Sequence, residues 1–200
     1  MKSYPSISTK PVFDVRVHCF EKIDGSQIRV EWSRKQSFYK FGSRKRLVDE
    51  NNLLGASKNI LEASFAEPLE RILVDNKWER AICFFEFAGP QSFAGSHVVG
   101  DDLQLTLFDV APYKRGIMFP DEFVKVFGGL NIPDILHVGK IDEEFVEEIR
   151  ANTELAEGIV CKGKGKHKGE PLMFKIKTRA WIDKVKAKCG GDENKLRELL

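Results

Sequence analysis

The sequence lacks any long apolar segment. Of its 200 residues, 42% are hydrophobic, but no run approaches the roughly 20 apolar residues that a membrane-spanning helix requires. Residues 1–5 also lack the apolar core of a secretory signal peptide. These absences predict a cytoplasmic protein that is neither secreted nor embedded in a membrane. A chain of this length can bury the core of one domain, with room for a small appendage.

Cysteine and histidine occur without the spacing of a metal site or of a disulfide framework. The cysteines are widely separated: Cys19, Cys83, Cys161 and Cys189. Such spacing fits a reducing compartment. The histidines are equally scattered: His18, His97, His137 and His167. A dedicated transition-metal site is therefore not expected.

A nucleotide-binding P-loop is missing as well. Residues 163–169 are rich in glycine and lysine, but they neither open a helix nor end in the Gly-Lys-Ser/Thr that a P-loop requires. We expect a mobile hairpin loop in this segment, with backbone contact to a nucleic acid as an additional role.

Charge is nearly balanced over the whole chain but unevenly placed along it. The net charge is +2, yet residues 162–200 carry 12 Lys and Arg against 5 Asp and Glu. A basic C-terminal face suits a polyanionic partner. The alternative is a solvated lysine face without a partner, which is the commoner reason for such a run.

Hydrophobic periodicity predicts strands and helices in mixed order. The predicted strands span residues 13–20, 26–32, 81–87, 103–110, 158–162 and 172–177. The predicted helices span residues 59–75 with a break at Pro68, a segment opened by Pro120, and residues 142–151, 180–188 and 192 onward. Regular βαβ alternation is missing, which indicates an α+β fold of antiparallel sheets with flanking helices.

Three lysines are candidates for chemistry on a phosphate. Lys22 follows a predicted strand and precedes the Asp24-Gly25 turn. A lysine nucleophile must lose its proton, and Lys175 and Lys177 could supply the positive charge that lowers its pKa or could hold phosphate oxygens. These two share one face of a strand. The alternative is a surface turn at Lys22 and two solvated lysines on an edge strand.

Glu86, Glu157 and Phe108 have unusual positions in the pattern. Glu86 interrupts the most apolar stretch and needs a partner, either an arginine or a ribose hydroxyl or metal. Glu157 lies at the start of a predicted strand. It is either the last residue of the preceding helix or an oxygen ligand for a divalent ion that carries nucleotide phosphates. Phe108 is an aromatic residue on the polar face of its strand, where it fills a satellite cluster or stacks on a planar ligand.

Six short motifs in fixed order now carry a family resemblance. They are Lys22-Ile23-Asp24-Gly25, Ser43-Arg44, Phe85-Glu86-Phe87-Ala88-Gly89-Pro90, Leu107-Phe108-Asp109-Val110, Glu157-Gly158-Ile159-Val160-Cys161-Lys162 and Lys175-Ile176-Lys177. Over residues 20–178 the chain resembles the covalent nucleotidyltransferase superfamily of polynucleotide ligases and capping enzymes. It is most similar to the ATP-dependent RNA ligases of the RNA ligase 2 type.

The resemblance implies an ATP-grasp-like nucleotidyltransferase domain and a role for each motif residue. Lys22 would attack the α-phosphate of ATP and become lysyl-AMP. Asp24 and Gly25 would complete the nucleotide site, Arg44 would contact the ribose or the incoming end, and Glu86 would hold the ribose hydroxyl. Phe108 would stack on adenine, Glu157 would support the divalent metal (Mg²⁺ or Mn²⁺), and Lys175 and Lys177 would neutralise the α-phosphate.

The resemblance also predicts the substrates. RNA ends with a 5′-phosphate and a 3′-hydroxyl would be joined, because Gln27 stands where DNA ligases and capping enzymes usually carry arginine. A minimal DNA ligase, a capping enzyme that uses GTP and a non-catalytic protein that binds nucleic-acid ends remain the alternatives. A monomer is expected, and a phage origin is left open.

The resemblance predicts a division of the chain as well. Residues 1–178 form the adenylylation domain and residues 179–200 a short helical tail. The remaining length leaves no room for an OB-fold, so the chain is expected to be either a naturally minimal ligase or a catalytic domain cut from a longer protein.

Overall fold

Two four-stranded sheets, whose named strands all pair antiparallel, form the framework of the protein. The structure is a computed structural model that describes residues 3–44, 46–48, 53–167 and 169–199. The strands are β1 Val17–Lys22, β2 Ser26–Ser33, β3 Ser37–Ser43, β4 Arg80–Ala88, β5 Gln104–Pro112, β6 Ile135–Gly139, β7 Gly158–His167 and β8 Glu170–Lys177. One sheet has the order β6-β1-β7-β8 and the other the order β3-β2-β4-β5.

In the part of the chain that the structure describes, six α-helices flank the sheets. They are α1 Ala56–Ser64, α2 Ala66–Asp75, α3 Pro120–Phe127, α4 Glu143–Ala151, α5 Arg179–Cys189 and α6 Glu193–Leu199, and a short 3-10 helix, Leu53–Gly55, precedes α1. The predicted α+β class with antiparallel sheets is confirmed. None of these helices is long and apolar enough to span a membrane, as far as the described residues extend.

Each sheet has its own hydrophobic core. The larger core lies between the β3-β2-β4-β5 sheet and helices α1, α2 and α3, and includes the fully buried Trp32, Phe85 and Phe127. The smaller core packs Val146 and Ile149 of α4 against the other sheet. The opposite face of the larger sheet carries Gln27 and Glu86, which are directly paired across β2 and β4. The polar faces of the two sheets are therefore left to form a pocket.

Most helix boundaries follow the signals in the sequence. Pro120 begins α3, where a missing amide proton costs nothing. The side chain of Asp142 accepts a hydrogen bond from the Phe145 amide at the start of α4. Thr178 caps α5 in the same way, and α5 ends at Gly190 with a positive φ of 56°.

Three boundaries differ from the expectations. The first strand begins at Val17 rather than at residue 13, and Phe13 is exposed. The helical segment 59–75 is broken at Phe65, whereas Pro68 lies in the first turn of α2, where proline is tolerated. Gly163–His167, expected as a loop, extends β7 into a long hairpin with β8; Lys168 lies outside the described residues.

Two strands were not expected at all. β3 contains Ser37, Tyr39 and Lys40 among its residues, and β6 exposes Ile135, Leu136 and Val138. Both are edge strands of their sheets, with one hydrogen-bonded neighbour each. An edge strand is stabilised mainly by its pairing with the neighbour, so its own sequence shows little alternation.

Candidate active site

The predicted site residues lie around one pocket between the two sheets. It has a volume of about 300 Å³, and its lining includes Lys22, Asp24, Gly25, Arg44, Glu86, Phe108, Glu157, Lys175 and Lys177. These residues come from β1, β4, β5 and β8 and from the segments next to β1, β3 and β7, so positions as far apart as 22 and 177 meet. The structure therefore assembles all nine into a single site.

Glu157 is the centre of the charged end of the pocket. One of its carboxylate oxygens lies 2.7 Å from the Lys22 ammonium, and the other lies 2.8 Å from the ammonium of Lys177. The Glu157 and Lys177 side chains are each only 6% exposed, whereas that of Lys22 is 22% exposed. One buried carboxylate is thus shared by two lysines.

The environment of Lys22 corrects one expectation. Burial favours its neutral amine, but the carboxylates of Glu157, Glu86 and Asp24 outweigh this effect, and the pKa of Lys22 is raised above its usual value. We had expected the positive charges of Lys175 and Lys177 to lower the pKa of Lys22, and that expectation is wrong. The surrounding side chains therefore favour the ammonium form of Lys22.

Lys175 holds its proton less tightly than a lysine in water does. Burial and the positive charges of Lys177 and Lys22 lower the pKa of Lys175 to about 8, and Arg44 adds to the effect from the exposed rim of the pocket. Phe174 and Ile176 point into the smaller core, as predicted. The alternation of β8 therefore places Lys175 and Lys177 on the pocket side.

Glu86 lies half-buried at the floor of the pocket. Burial raises the pKa of this carboxyl to about 8, although the Lys22 ammonium and the Gly25 amide act in the opposite direction. Among the described residues, no arginine contributes to this shift. The interpretation of Glu86 as half of an arginine salt bridge is therefore not supported.

Asp24 and Gly25 form the turn that follows Lys22, the last residue of β1. The Asp24 carboxylate accepts hydrogen bonds from the amides of Ala94 and Gly95 and from the indole of Trp181 on α5. A Cβ atom on Gly25 would lie 2.4 Å from the Phe87 carbonyl oxygen. The turn thus needs glycine because β4 approaches it closely.

Gly158 turns Glu157 into the pocket. Alternation would place Glu157 and Lys162 on opposite faces of β7, yet both line the pocket. Gly158 has a φ of 147°, and a Cβ atom there would lie 2.1 Å from the Ile176 carbonyl oxygen. The irregular backbone at this glycine re-aims the preceding residue.

Phe108 lies at a bulge in β5. Phe84 pairs with Asp109 and Phe85 with Leu107, so Phe108 has no partner on β4. Its half-buried ring lines the pocket. A bulge is a common device for redirecting a side chain beside a site.

Sequence reasoning assigned no role to three residues next to Phe108. Lys162 donates to the Phe108 carbonyl at 2.7 Å and to the Asp109 carboxylate at 2.8 Å, and both charged side chains are at most 4% exposed. The Tyr4 hydroxyl also donates to Asp109. Asp109 and Lys162 are in the quoted motifs, which was a usable signal, whereas no pattern marked Tyr4.

The C-terminal helices reach the charged end of the pocket. The Lys177 ammonium lies 2.7 Å from the Leu199 carbonyl oxygen at the end of α6 and 3.9 Å from the ring centre of Trp181. Leu196 and Leu199 pack against α5; Leu200 lies outside the described residues.

Comparison with known proteins finds similarity in structure but not in sequence. No protein-family model matches the chain, and no curated protein matches its sequence. An archaeal ATP-dependent RNA ligase has a TM-score of 0.68 at 17% identity, over 94% of this chain and 52% of that chain. A mutant RNA ligase of Naegleria gruberi with AMP and Mn has a TM-score of 0.67 at 14% identity, over 93% of this chain and 58% of that chain.

The chain has the fold of an RNA ligase nucleotidyltransferase domain. The Naegleria gruberi RNA ligase with PPi adds a TM-score of 0.66 at 16% identity. The chain spans little more than half the length of these ligases. The fold predicted from the motifs is therefore confirmed.

Proposed function

We propose that this protein is an ATP-dependent RNA ligase, or the adenylylating part of one. The observation that carries the proposal is the assembly of Lys22, Glu86, Glu157, Lys175 and Lys177 around one pocket. All five side chains are titratable groups held close together in a partly buried site. Such an arrangement is costly unless a ligand or a reaction uses it. Solved structures with this fold are RNA ligases with ATP, AMP, PPi or Mn, which supports the same chemistry here.

In the first step Lys22 becomes covalently attached to AMP. The Lys22 amine attacks the α-phosphorus of ATP, a phosphorus–nitrogen bond forms, and the bond from that phosphorus to the bridging oxygen breaks to release pyrophosphate. The ammonium must first lose a proton, which its raised pKa resists. Glu157 is the carboxylate that favours this proton most strongly, so a divalent cation bound to Glu157 would weaken its hold on the proton.

In the later steps AMP passes to RNA and is then released. An oxygen of a 5′-phosphate attacks the phosphorus of lysyl-AMP, which frees Lys22 and leaves the RNA end adenylylated. A 3′-hydroxyl then attacks the RNA 5′-phosphate, forms the phosphodiester bond and displaces AMP. Lys175 and Lys177 line the pocket where negative charge would develop in each transfer, and fixed cations aimed at such charge lower the barrier.

The other motif residues would hold the nucleotide. Phe108 presents its ring to the pocket and would stack on adenine. Glu86 would bind a ribose hydroxyl from the pocket floor, and Arg44 would contact the ribose or an incoming end from the rim. Asp24 already binds three protein donors, so it would act by positioning Lys22, together with Gly25.

A divalent cation fits the site as a companion of the nucleotide. Within the described ranges, no three histidine, cysteine or carboxylate side chains form a ready ligand set. Mg²⁺ and Mn²⁺ in nucleotide sites are typically bound through one or two carboxylates together with phosphate oxygens. Glu157, with Glu86 nearby, offers such oxygens, and the ion would neutralise phosphate charge.

Incubation with nucleotide and measurement of the intact mass test the proposal. We expect a gain of one AMP from ATP and Mg²⁺, no gain from GTP, and no gain in Lys22→Ala. Joining of a nicked RNA against the same nick in DNA then tests the preference for RNA. Folded protein, free of bound AMP, that gains no mass would contradict the proposal and favour the non-catalytic alternative.

A further inference from the structure

We propose that Tyr4 is a positioning residue for the nucleotide base, acting through Phe108; this rests on the function proposed above. Tyr4 belongs to a segment of residues 3–8, called the N-terminal strap below. The strap runs between the two sheets, and it reaches the site from outside the motifs that sequence analysis identified.

Three separate elements hold the strap in place. Its first described residue, Ser3, accepts a hydrogen bond from the buried Arg29 of β2 at 3.1 Å. The Tyr4 hydroxyl donates to Asp109 of β5. At its other end, the Ser8 carbonyl accepts from the Lys175 amide of β8 at 2.8 Å. The strap therefore connects the strand of Phe108 to the strand that carries Lys175.

The ring of Tyr4 packs directly against Phe108. Their ring centres are 5.2 Å apart and their planes are 88° from parallel, an edge-to-face contact. Tyr4 also contacts Phe84 edge-on at 5.0 Å. Because Phe108 lies at a bulge and has no cross-strand partner, its orientation depends on such contacts.

A buried polar network fixes the backbone of the same bulge. Asp109 binds both the Tyr4 hydroxyl and the Lys162 ammonium, and Lys162 also binds the Phe108 carbonyl. Burial and the Asp109 charge raise the pKa of Tyr4 well above its usual value, so the phenol stays a donor. Ring and carbonyl of Phe108 are thus each held by a different member of one network.

The strap also closes the pocket on one side. Tyr4 and Ile7 line the nucleotide pocket of about 300 Å³. Ser3 and Ser6 line a second cavity of about 900 Å³, and Pro5 borders both. Loss of the Tyr4 ring would open the base end of the pocket toward this larger cavity.

The test measures equilibrium binding in a Lys22→Ala background, where no covalent step occurs. Tyr4→Ala is expected to weaken ATP binding about 3- to 10-fold, the loss of one aromatic pair. Binding of inorganic tripolyphosphate, which has the phosphates but no base, is expected to stay unchanged. Tyr4→Phe keeps the ring and should bind ATP within about 2-fold of the parent.

Tyr113→Ala is the matched control, because Tyr113 is 52% exposed and lies outside the nucleotide pocket. It should leave ATP binding unchanged. A purely structural role for Tyr4 would weaken ATP and tripolyphosphate equally, and that result overturns the inference. Unchanged ATP binding in folded Tyr4→Ala also overturns it. If the Lys22→Ala parent binds no ATP, the proposed function fails together with the inference.

Discussion

Two buried lysine–carboxylate clusters lie beside the same pocket, and they differ in how their charges are paired. Asp109 has one lysine, Lys162, and a phenol as partners. Glu157 is shared by Lys22 and Lys177, and Lys175 adds a third amine whose pKa is lowered to about 8.

We interpret the Asp109 cluster as structural and the Glu157 cluster as the one that takes part in the proposed chemistry. A buried network whose polar groups are paired with one another is rigid and holds its neighbours in one geometry. In the Glu157 cluster two ammonium groups share one carboxylate and the amine of Lys175 lies close to them, an arrangement that favours a bound anion. The Asp109 cluster is accordingly expected to support Phe108, and the Glu157 cluster to receive phosphates.

The largest effect is expected from substitution of Lys22 in the Glu157 cluster. Lys22→Ala removes the attacking amine, so formation of the AMP adduct should fall below detection in intact-mass measurements. Glu157 remains paired with Lys177 in this variant, so the melting temperature should change little. Adduct formation by folded Lys22→Ala would mean that another lysine is the nucleophile.

The same substitution in each cluster breaks the comparison most directly. Lys162→Met leaves Asp109 as a buried carboxylate without its cation and should lower the free energy of unfolding by about 3–5 kcal/mol. Lys177→Met leaves Glu157 paired with Lys22. It should lower the adenylylation rate about 10²- to 10³-fold, the usual cost of losing a transition-state charge partner, with a much smaller loss of stability.

Denaturant unfolding and single-turnover adenylylation of the two variants provide these numbers. Equal losses of stability would show that the clusters do not differ in role. An unchanged rate in Lys177→Met would remove Lys177 from the proposed chemistry.

Substitution of Phe108 tests whether the Asp109 cluster supports a ring that stacks on the base. Phe108→Ala should weaken ATP binding by about 1–3 kcal/mol, the range for a lost base–aromatic stack, while the adduct still forms at saturating ATP. Phe84→Ala is a useful contrast, since Phe84 is buried beneath the ring and should mainly reduce stability. An unaltered apparent ATP affinity in Phe108→Ala would contradict the stacking assignment.

Glu86 provides a smaller effect that depends on pH. Burial raises its pKa from 4.5 to about 8, so the folded protein binds this proton more tightly than the unfolded chain. The associated stability is fully present below about pH 4.5 and is lost as pH rises to about 8. Glu86→Gln should therefore gain stability relative to wild type over this range, by more than about 1.4 kcal/mol, the equivalent of one pKa unit.

Urea unfolding of wild type and Glu86→Gln at pH 5 and pH 8.5 measures this gap. Gln27→Glu adds a carboxylate opposite Glu86, so it should increase the loss of unfolding free energy at high pH. A gap that does not change with pH would show that Glu86 is charged throughout.

The residues singled out from the sequence lie around one pocket, whereas several of the surrounding segments differ from the expectations. Strands β2, β4 and β5 carry clear alternation or strong apolar character, and each was predicted to within two residues. The break at Phe65 was missed because Pro68 looked like the stronger signal, although proline is harmless in a first helical turn. The edge strands β3 and β6 were missed because pairing with a neighbour, rather than local pattern, stabilises them.

Long-range contacts explain what sequence reasoning missed within the site. Tyr4 precedes every motif, and its partner Asp109 is 105 positions away. The raised pKa of Lys22 depends on Glu157 and Glu86, which are far from it in sequence, as well as on the nearby Asp24. Neither distance nor burial can be read from spacing alone.

The order of the motifs and the antiparallel α+β class follow from the sequence alone, because they depend on local residue types and alternation, and the motif resemblance supplied the nine candidate site residues. Only the tertiary structure decided which charges are satisfied and which are shared. It also decided that Gly158 turns Glu157 inward and that the N-terminal strap lines one side of the pocket. Electrostatics and packing act through space, so residues far apart in sequence set these properties.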